Sequence, residues 1–299
     1  MNCMQNRIQG ALFGLAIGDA LGGTTEFMSP FQIKEQYGQL TELIGGGVWH
    51  LEPGETTDDT AMTIAVAKGI LAAPEDPIPP IGEEFLVWWR TVPKDVGTII
   101  STVFKEYRGD WKESAKAAHH KLGGKSAGNG SLMRCLPVAL AYSNKDKMEL
   151  VTIEQSKMTH YDTLADEACL LYNRIAYRVL KDENLMSAIQ HEVKGTRYEE
   201  VLHRKPPQVA PDGFVVNTLL WVLHLLLTSA NFEEVVVRAA NNGFDSDTVG
   251  AIAGGLAGLY YGFEALPERY VSAILRKKEL LDITERLYVL RQLEAQNRD

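Results

Sequence analysis

The chain has 299 residues, 45% hydrophobic and 23% charged, with a formal net charge of −9. That mixture suits a soluble globular protein with a sizeable core, and its acidic balance argues against broad binding to nucleic acid or to an anionic membrane. Three scattered cysteines, Cys3, Cys135 and Cys169, form neither a disulfide framework nor a zinc spacing, which fits a reducing cytoplasm.

In chain order the patterns are mostly helical. Residues 8–21 carry Ile8, Leu12, Leu15 and Ile17 with glycines between them. A signal peptide is not expected there, because Asp19 follows the apolar run at once and Arg7 is the leading charge. Residues 40–48 hold the only strand candidate. Residues 58–73 are apolar nearly all round, which predicts a helix buried on most sides. A proline-marked loop at 74–82 precedes a short amphipathic helix at 83–91. Helical patterns follow at 96–107, 111–122, 132–142 and 147–159, then at 163–180 with a stripe of Leu164, Ala168, Leu171, Ile175 and Val179. A second proline-marked loop spans 206–213. Helices are then predicted at 214–227, 232–241, 248–262, 268–274 and 278–294. No apolar run reaches the roughly 18–20 residues of a membrane helix. The expectation is an all-α fold: one domain over 1–299, an orthogonal helical bundle of about a dozen helices. A monomer is expected at this size.

Two acidic clusters open buried helices. They are Thr56-Thr57-Asp58-Asp59-Thr60 and Asp245-Ser246-Asp247-Thr248. Capping and dipole complementarity are the plain explanation for either one, worth under about 2 kcal/mol. Yet adjacent Asp58 and Asp59 point in different directions on a helix, so one cap cannot use both. The second cluster repeats the chemistry. Four carboxylates with the hydroxyls of Thr57 and Thr248 form a hard-oxygen set, suited to Mg²⁺, Mn²⁺ or Ca²⁺ rather than zinc. Four aspartates can neutralise two divalent ions. Behind the second cluster, Gly250, Gly254 and Gly258 recur every four residues and leave one helix face open to close packing.

Several further segments occur in a telling order around these clusters. Gly18-Asp19-Ala20-Leu21-Gly22 comes first, then Glu26-Phe27-Met28, then Thr57-Asp58-Asp59-Thr60. Gly128-Asn129-Gly130-Ser131-Leu132-Met133-Arg134, Thr159-His160 and Asp245-Ser246-Asp247-Thr248-Val249-Gly250 complete the set. Together they resemble the ADP-ribosylglycohydrolase family over nearly the whole chain.

The resemblance implies an all-α bundle with two Mg²⁺ or Mn²⁺ ions in a central cleft. Thr57, Asp58, Asp59, Asp245, Asp247 and Thr248 match the family's metal ligands, with Asp58 and Asp247 central to catalysis. It implies cleavage at C1″ of ADP-ribose, often from an arginine guanidinium, on an ADP-ribosylated protein or a small ADP-ribosyl substrate. Glu26 matches a loop carboxylate near the metals. Glu26 and Asp95 are candidates to move the proton that the leaving group needs, although capping the next helix explains Asp95 equally well. Gly128, Asn129, Gly130 and Ser131, with Met133, resemble the diphosphate- and ribose-binding loop at a helix start; alone, Gly-Asn-Gly is an ordinary turn. His160 matches a substrate contact. Asp19 reads as a buried brace. Phe244 stands where the family often has glycine, and it either narrows the cleft or stacks on a ribose or base. A hydrolase of O-linked ADP-ribose (serine-linked or O-acetyl-ADP-ribose), a nucleotide phosphoesterase using the same metals and a non-catalytic ADP-ribose-binding protein remain the alternatives.

Overall fold

The computed structural model describes residues 3–296, and among them it contains fifteen α-helices, two 3-10 turns and no strand. Two long helices form the axis. Helix α1 (Cys3–Gly22) and helix α13 (Ser246–Tyr261) run antiparallel and are buried along most of their length. Gly10, Gly14, Gly18 and Gly22 of α1 face Gly258, Gly254, Gly250 and Ser246 of α13. A Cβ on Gly18 would lie 1.9 Å from the carbonyl oxygen of Gly250, and one on Gly254 would lie 2.2 Å from that of Gly14. Only hydrogen fits, so the two backbones touch directly. The antiparallel sense brings the C-terminal end of α1 to the N-terminal end of α13.

Helices α3 (Asp58–Ala72), α9 (Thr163–Leu180), α11 (Val215–Thr228), α12 (Phe232–Asn242) and α15 (Lys277–Gln296) pack around this pair. One contiguous hydrophobic cluster runs from Ile8 to Leu287. A small satellite of Val103, Ala115 and Ala118 lies between α5 (Thr98–Glu106) and α6 (Trp111–Lys121).

Several elements differ from the sequence expectation. Residues 40–48 make no strand. Gly45, Gly46 and Gly47 take φ values of 68°, 85° and 66°, which curl the chain, and a single bridge joins Gly46 to Leu51. The helix expected at 132–142 shrinks to α7 (Leu136–Ala141). Pro137 has no N–H to give and suits only the first turn, so the helix begins just ahead of it. Helix α4 (Ile78–Arg90) starts earlier than expected, with Pro79 and Pro80 in its first turn. Two helices went unforeseen: α2 (Pro30–Tyr37), launched by a capping box of Ser29 with Gln32, and α10 (Leu185–Val193), capped by Asn184.

Candidate active site

Both acidic clusters are aimed by α1. Asp19 is fully buried, and its carboxylate accepts the Thr57 N–H at 2.9 Å, the Thr60 N–H at 3.0 Å and the Thr60 hydroxyl at 2.5 Å. It therefore caps α3 from outside, and the Thr57 side chain makes no capping bond. This frees Asp58 and Asp59 from capping duty. At the same end of the pair, the Ser246 hydroxyl donates to the Gly22 carbonyl at 2.9 Å and lies 3.1 Å from Thr25 Oγ1. Asp247 thereby opens α13 beside the loop that carries Glu26.

The clusters meet at Asp59. Its Oδ2 accepts long hydrogen bonds from Thr57 Oγ1 at 3.4 Å and from Thr248 Oγ1 at 3.3 Å. Asp245 is held by the Asn129 amide at 2.7 Å, and Asn129 is braced in turn by Thr218 at 3.0 Å.

Above them opens a cleft of about 640 Å³. Glu26, Asp58, Asp95, Asp212, Asp245 and Asp247 line it, and no Lys or Arg does among the described residues. Carboxylate oxygens of Glu26, Asp95 and Asp247 lie within 4.8 Å of one another. Burial first, then the facing Asp95 carboxylate, pushes Glu26 up to about 8. Burial and the neighbouring Asp19 push Asp95 up to about 7. Burial, reinforced by their acidic neighbours, raises Asp58, Asp59 and Asp247 well above the usual carboxylate range. Asp59 Oδ1 is buried with no hydrogen-bond partner. An orphaned carboxylate oxygen beneath mutually repelling acids fits a hard divalent cation.

The cleft gathers most of the sequence-expected residues. Gly128, Asn129, Gly130, Met133, His160 and Phe244 line it with the acids and Thr248. Thr57 and Asp59 lie outside that lining, buried beside the acids. Ser131 does not line the cleft: its hydroxyl accepts from Ser156 at 3.2 Å and lies 3.5 Å from Cys169 Sγ in the core. The glycine loop does not sit on a helix N-terminus either, because turns occupy 130–134. Its glycines serve close approach. A Cβ on Gly128 would come 2.6 Å from Ile99 Cδ1 and 3.3 Å from His160 Nε2. Asp95 does not cap the next helix, since Gly97 holds that position.

Sequence reasoning missed Trp49, whose indole N–H donates to Glu26 Oε2, and the cleft walls at 99–100 and 212–213, whereas Asp95-Val96-Gly97-Thr98 resembles a family segment near the substrate and does line the cleft. Gly97 N–H reaches Asp58 Oδ2 at 3.4 Å. Nothing local in the sequence marks Trp49. Phe27 and Phe244 are both exposed and adopt positive φ, 61° and 57°. Their loops clasp through Phe27 N–H to the Phe244 carbonyl at 2.7 Å and Phe244 N–H to the Met28 carbonyl at 2.8 Å. Holding non-glycine residues in this conformation costs about 1–3 kcal/mol each.

Known proteins are similar to this chain in sequence and fold. The chain is 34% identical over 277 residues to ADP-ribosyl-[dinitrogen reductase] glycohydrolase of Rhodospirillum rubrum, covering 92% of each chain. It is 24% identical to ADP-ribosylarginine hydrolase Tri1 of Serratia proteamaculans, covering 95% of this chain and 80% of that one. A solved structure described as an ADP-ribosylglycohydrolase-related protein complex superposes with a TM-score of 0.83 at 30% identity, covering 97% of this chain and 100% of the other. With the ADP-ribosylglycohydrolase model matching residues 2–297 as well, the chain belongs to the ADP-ribosylglycohydrolase family, hydrolases that act on ADP-ribosyl linkages.

Proposed function

We propose that this hydrolase releases ADP-ribose from arginine side chains of modified proteins, acting as one domain and as a monomer, with two Mg²⁺ or Mn²⁺ ions. The observation that carries this reading is the convergence of six acidic side chains, drawn from both ends of the chain, on a cleft with no Lys or Arg among the described residues. The names of two relatives, which specify dinitrogen reductase and ADP-ribosylarginine, favour a protein arginine linkage.

Thr57, Asp58, Asp59, Asp245, Asp247 and Thr248 would hold the ions. When bound, the ions would orient the ribose hydroxyls, activate a water and offset charge. The remaining work falls to the chain. In the reaction the C1″–N bond breaks, its electron pair stays on the guanidine nitrogen, and a water oxygen bonds C1″. The water gives up one proton, and the departing nitrogen takes one. Glu26 and Asp95 are the groups for this transfer: both carboxyl groups face the cleft, and neither is among the six residues that would hold the ions. Gly128, Asn129, Gly130 and Met133 hold ADP-ribose, Phe244 stacks against its ribose or base, and Ser131 supports the loop from the core side.

The test is product analysis with Mg²⁺ or Mn²⁺ on arginine-, serine- and O-acetyl-linked ADP-ribose. Free ADP-ribose from the arginine substrate is the expected result. AMP plus a ribose phosphate would overturn hydrolysis at C1″. Turnover of only the oxygen-linked substrates would overturn the arginine assignment.

A further inference from the structure

Beneath the cleft lies a cation that the proposed chemistry does not use. Arg134 is fully buried, and among the described residues it forms no ion pair. An unpaired buried guanidinium is expensive, so its partners are informative. Its Cζ lies over the Phe85 ring, 4.5 Å from the centre. Nε donates to Gln155 Oε1 at 3.0 Å, and one terminal nitrogen donates to the Gln155 carbonyl at 2.9 Å and to Thr159 Oγ1 at 2.7 Å.

The last bond has a directional consequence. A guanidinium only donates, so the Thr159 hydroxyl must accept from it. That hydroxyl has one hydrogen of its own, and its other polar neighbour is His160 Nδ1 at 2.8 Å. The hydrogen therefore points at Nδ1, Nδ1 accepts, and the imidazole carries its proton on Nε2. His160 N–H donates to the Ser156 carbonyl at 2.9 Å, which anchors the backbone. His160 lines the cleft, with Nε2 beside the Cβ-less face of Gly128 and Cε1 beside that of Gly130.

We propose that Arg134 and Thr159 are positioning residues that fix His160 in the Nε2–H tautomer, so that it presents a donor to an acceptor oxygen of bound ADP-ribose. Burial and the adjacent guanidinium support this by holding the imidazole down to about 3, so the ring stays neutral when the cleft is filled. The choice of ADP-ribose as the ligand rests on the functional reading above; the tautomer does not.

Two measurements test the relay. Long-range ¹H–¹⁵N spectra of the imidazole rings should show His160 as Nε2–H in the unmodified protein and in Thr159→Ser, and a shift toward Nδ1–H in Thr159→Val. An Nδ1–H tautomer in the unmodified protein, or an unchanged tautomer in Thr159→Val, overturns the inference. Calorimetry with ADP-ribose should show roughly tenfold weaker binding for Thr159→Val, with Thr159→Ser close to the unmodified protein. Equal weakening in both variants would overturn the role in ligand binding. No ADP-ribose binding by the unmodified protein would overturn the functional reading and leave the spectra to decide the tautomer.

Discussion

Asp58 and Asp247 carry raised carboxylate pKa values chiefly because they are buried, and other acids around them add to the effect. Each is therefore a liability to the metal-free fold and an asset only when a cation is bound. Asp58→Ala or Asp247→Ala should lower turnover by more than the roughly 10–100-fold seen when a residue that merely braces a metal ligand is lost. The metal-free melting temperature should not fall. Full turnover in either variant, measured with Mg²⁺ or Mn²⁺, would refute a shared metal site. His160 makes an independent prediction about acid. Its imidazole takes a proton near 6.5 when unfolded and only near 3 when folded. Between those values the unfolded chain binds more protons, so this contribution to stability is complete above about 6.5 and is lost as the pH falls toward 3. Urea denaturation of the unmodified protein and His160→Gln should therefore show a stability gap that narrows as the pH drops through that window. At this scale the sequence singled out Glu26, Asp58, Asp95, Asp245, Asp247 and His160, which all line the cleft, but it passed over Asp212. It could not reveal that the Ser131 hydroxyl turns inward, because a turn and a helix start present that side chain differently. Trp49 was invisible because its contact with Glu26 depends on how the glycine-rich 45–47 segment curls.

The helices that matter most to the site were also the most readable. Residues 58–73 and 248–262 are apolar or small all round, and burial on every side leaves no other pattern. The missed helices, α2 and α10, bury only one and four residues respectively, so their signal lay in the caps at Ser29 and Asn184 rather than in periodicity. The glycine stripe of α13 was visible, but its meaning depends on α1, whose Gly10, Gly14, Gly18 and Gly22 share the same spacing. No local pattern says that two such stripes pair. The contact makes a prediction far from the chemistry. Gly254→Ala places a Cβ 2.2 Å from a main-chain oxygen of α1. It should destabilise the protein by about 1–3 kcal/mol or more, as overpacking does, and should weaken Mg²⁺ or Mn²⁺ binding, because α1 and α13 together aim both acidic clusters. Calorimetric metal titration beside thermal melting checks both; unchanged metal affinity would show that the helix spacing and the cleft are independent.

The whole molecule carries an excess of negative charge, and much of its buried acid faces one cleft. A divalent ion there would join the start of α3 to the start of α13, elements from distant parts of the chain. Saturating Mg²⁺ or Mn²⁺ at about 100 times its dissociation constant adds about 2.7 kcal/mol per site. That should raise the melting temperature by on the order of 5 °C, reversibly with a chelator. A monovalent salt of equal ionic strength giving the same shift would point to general screening instead. Among the described residues no helix is long and apolar enough to cross a membrane.

The seam between α1 and α13 also bears on how this sequence can drift. A clash between two side chains can be relieved by a second substitution that trims the partner. At Gly18 and Gly254 the obstacle is a carbonyl oxygen, which every residue possesses, and the facing positions are already glycine. No second-site change on the facing helix can make room. Lesions in the seam are thus beyond local suppression, and the permissible sequences narrow most along a line of residues that never touch the substrate.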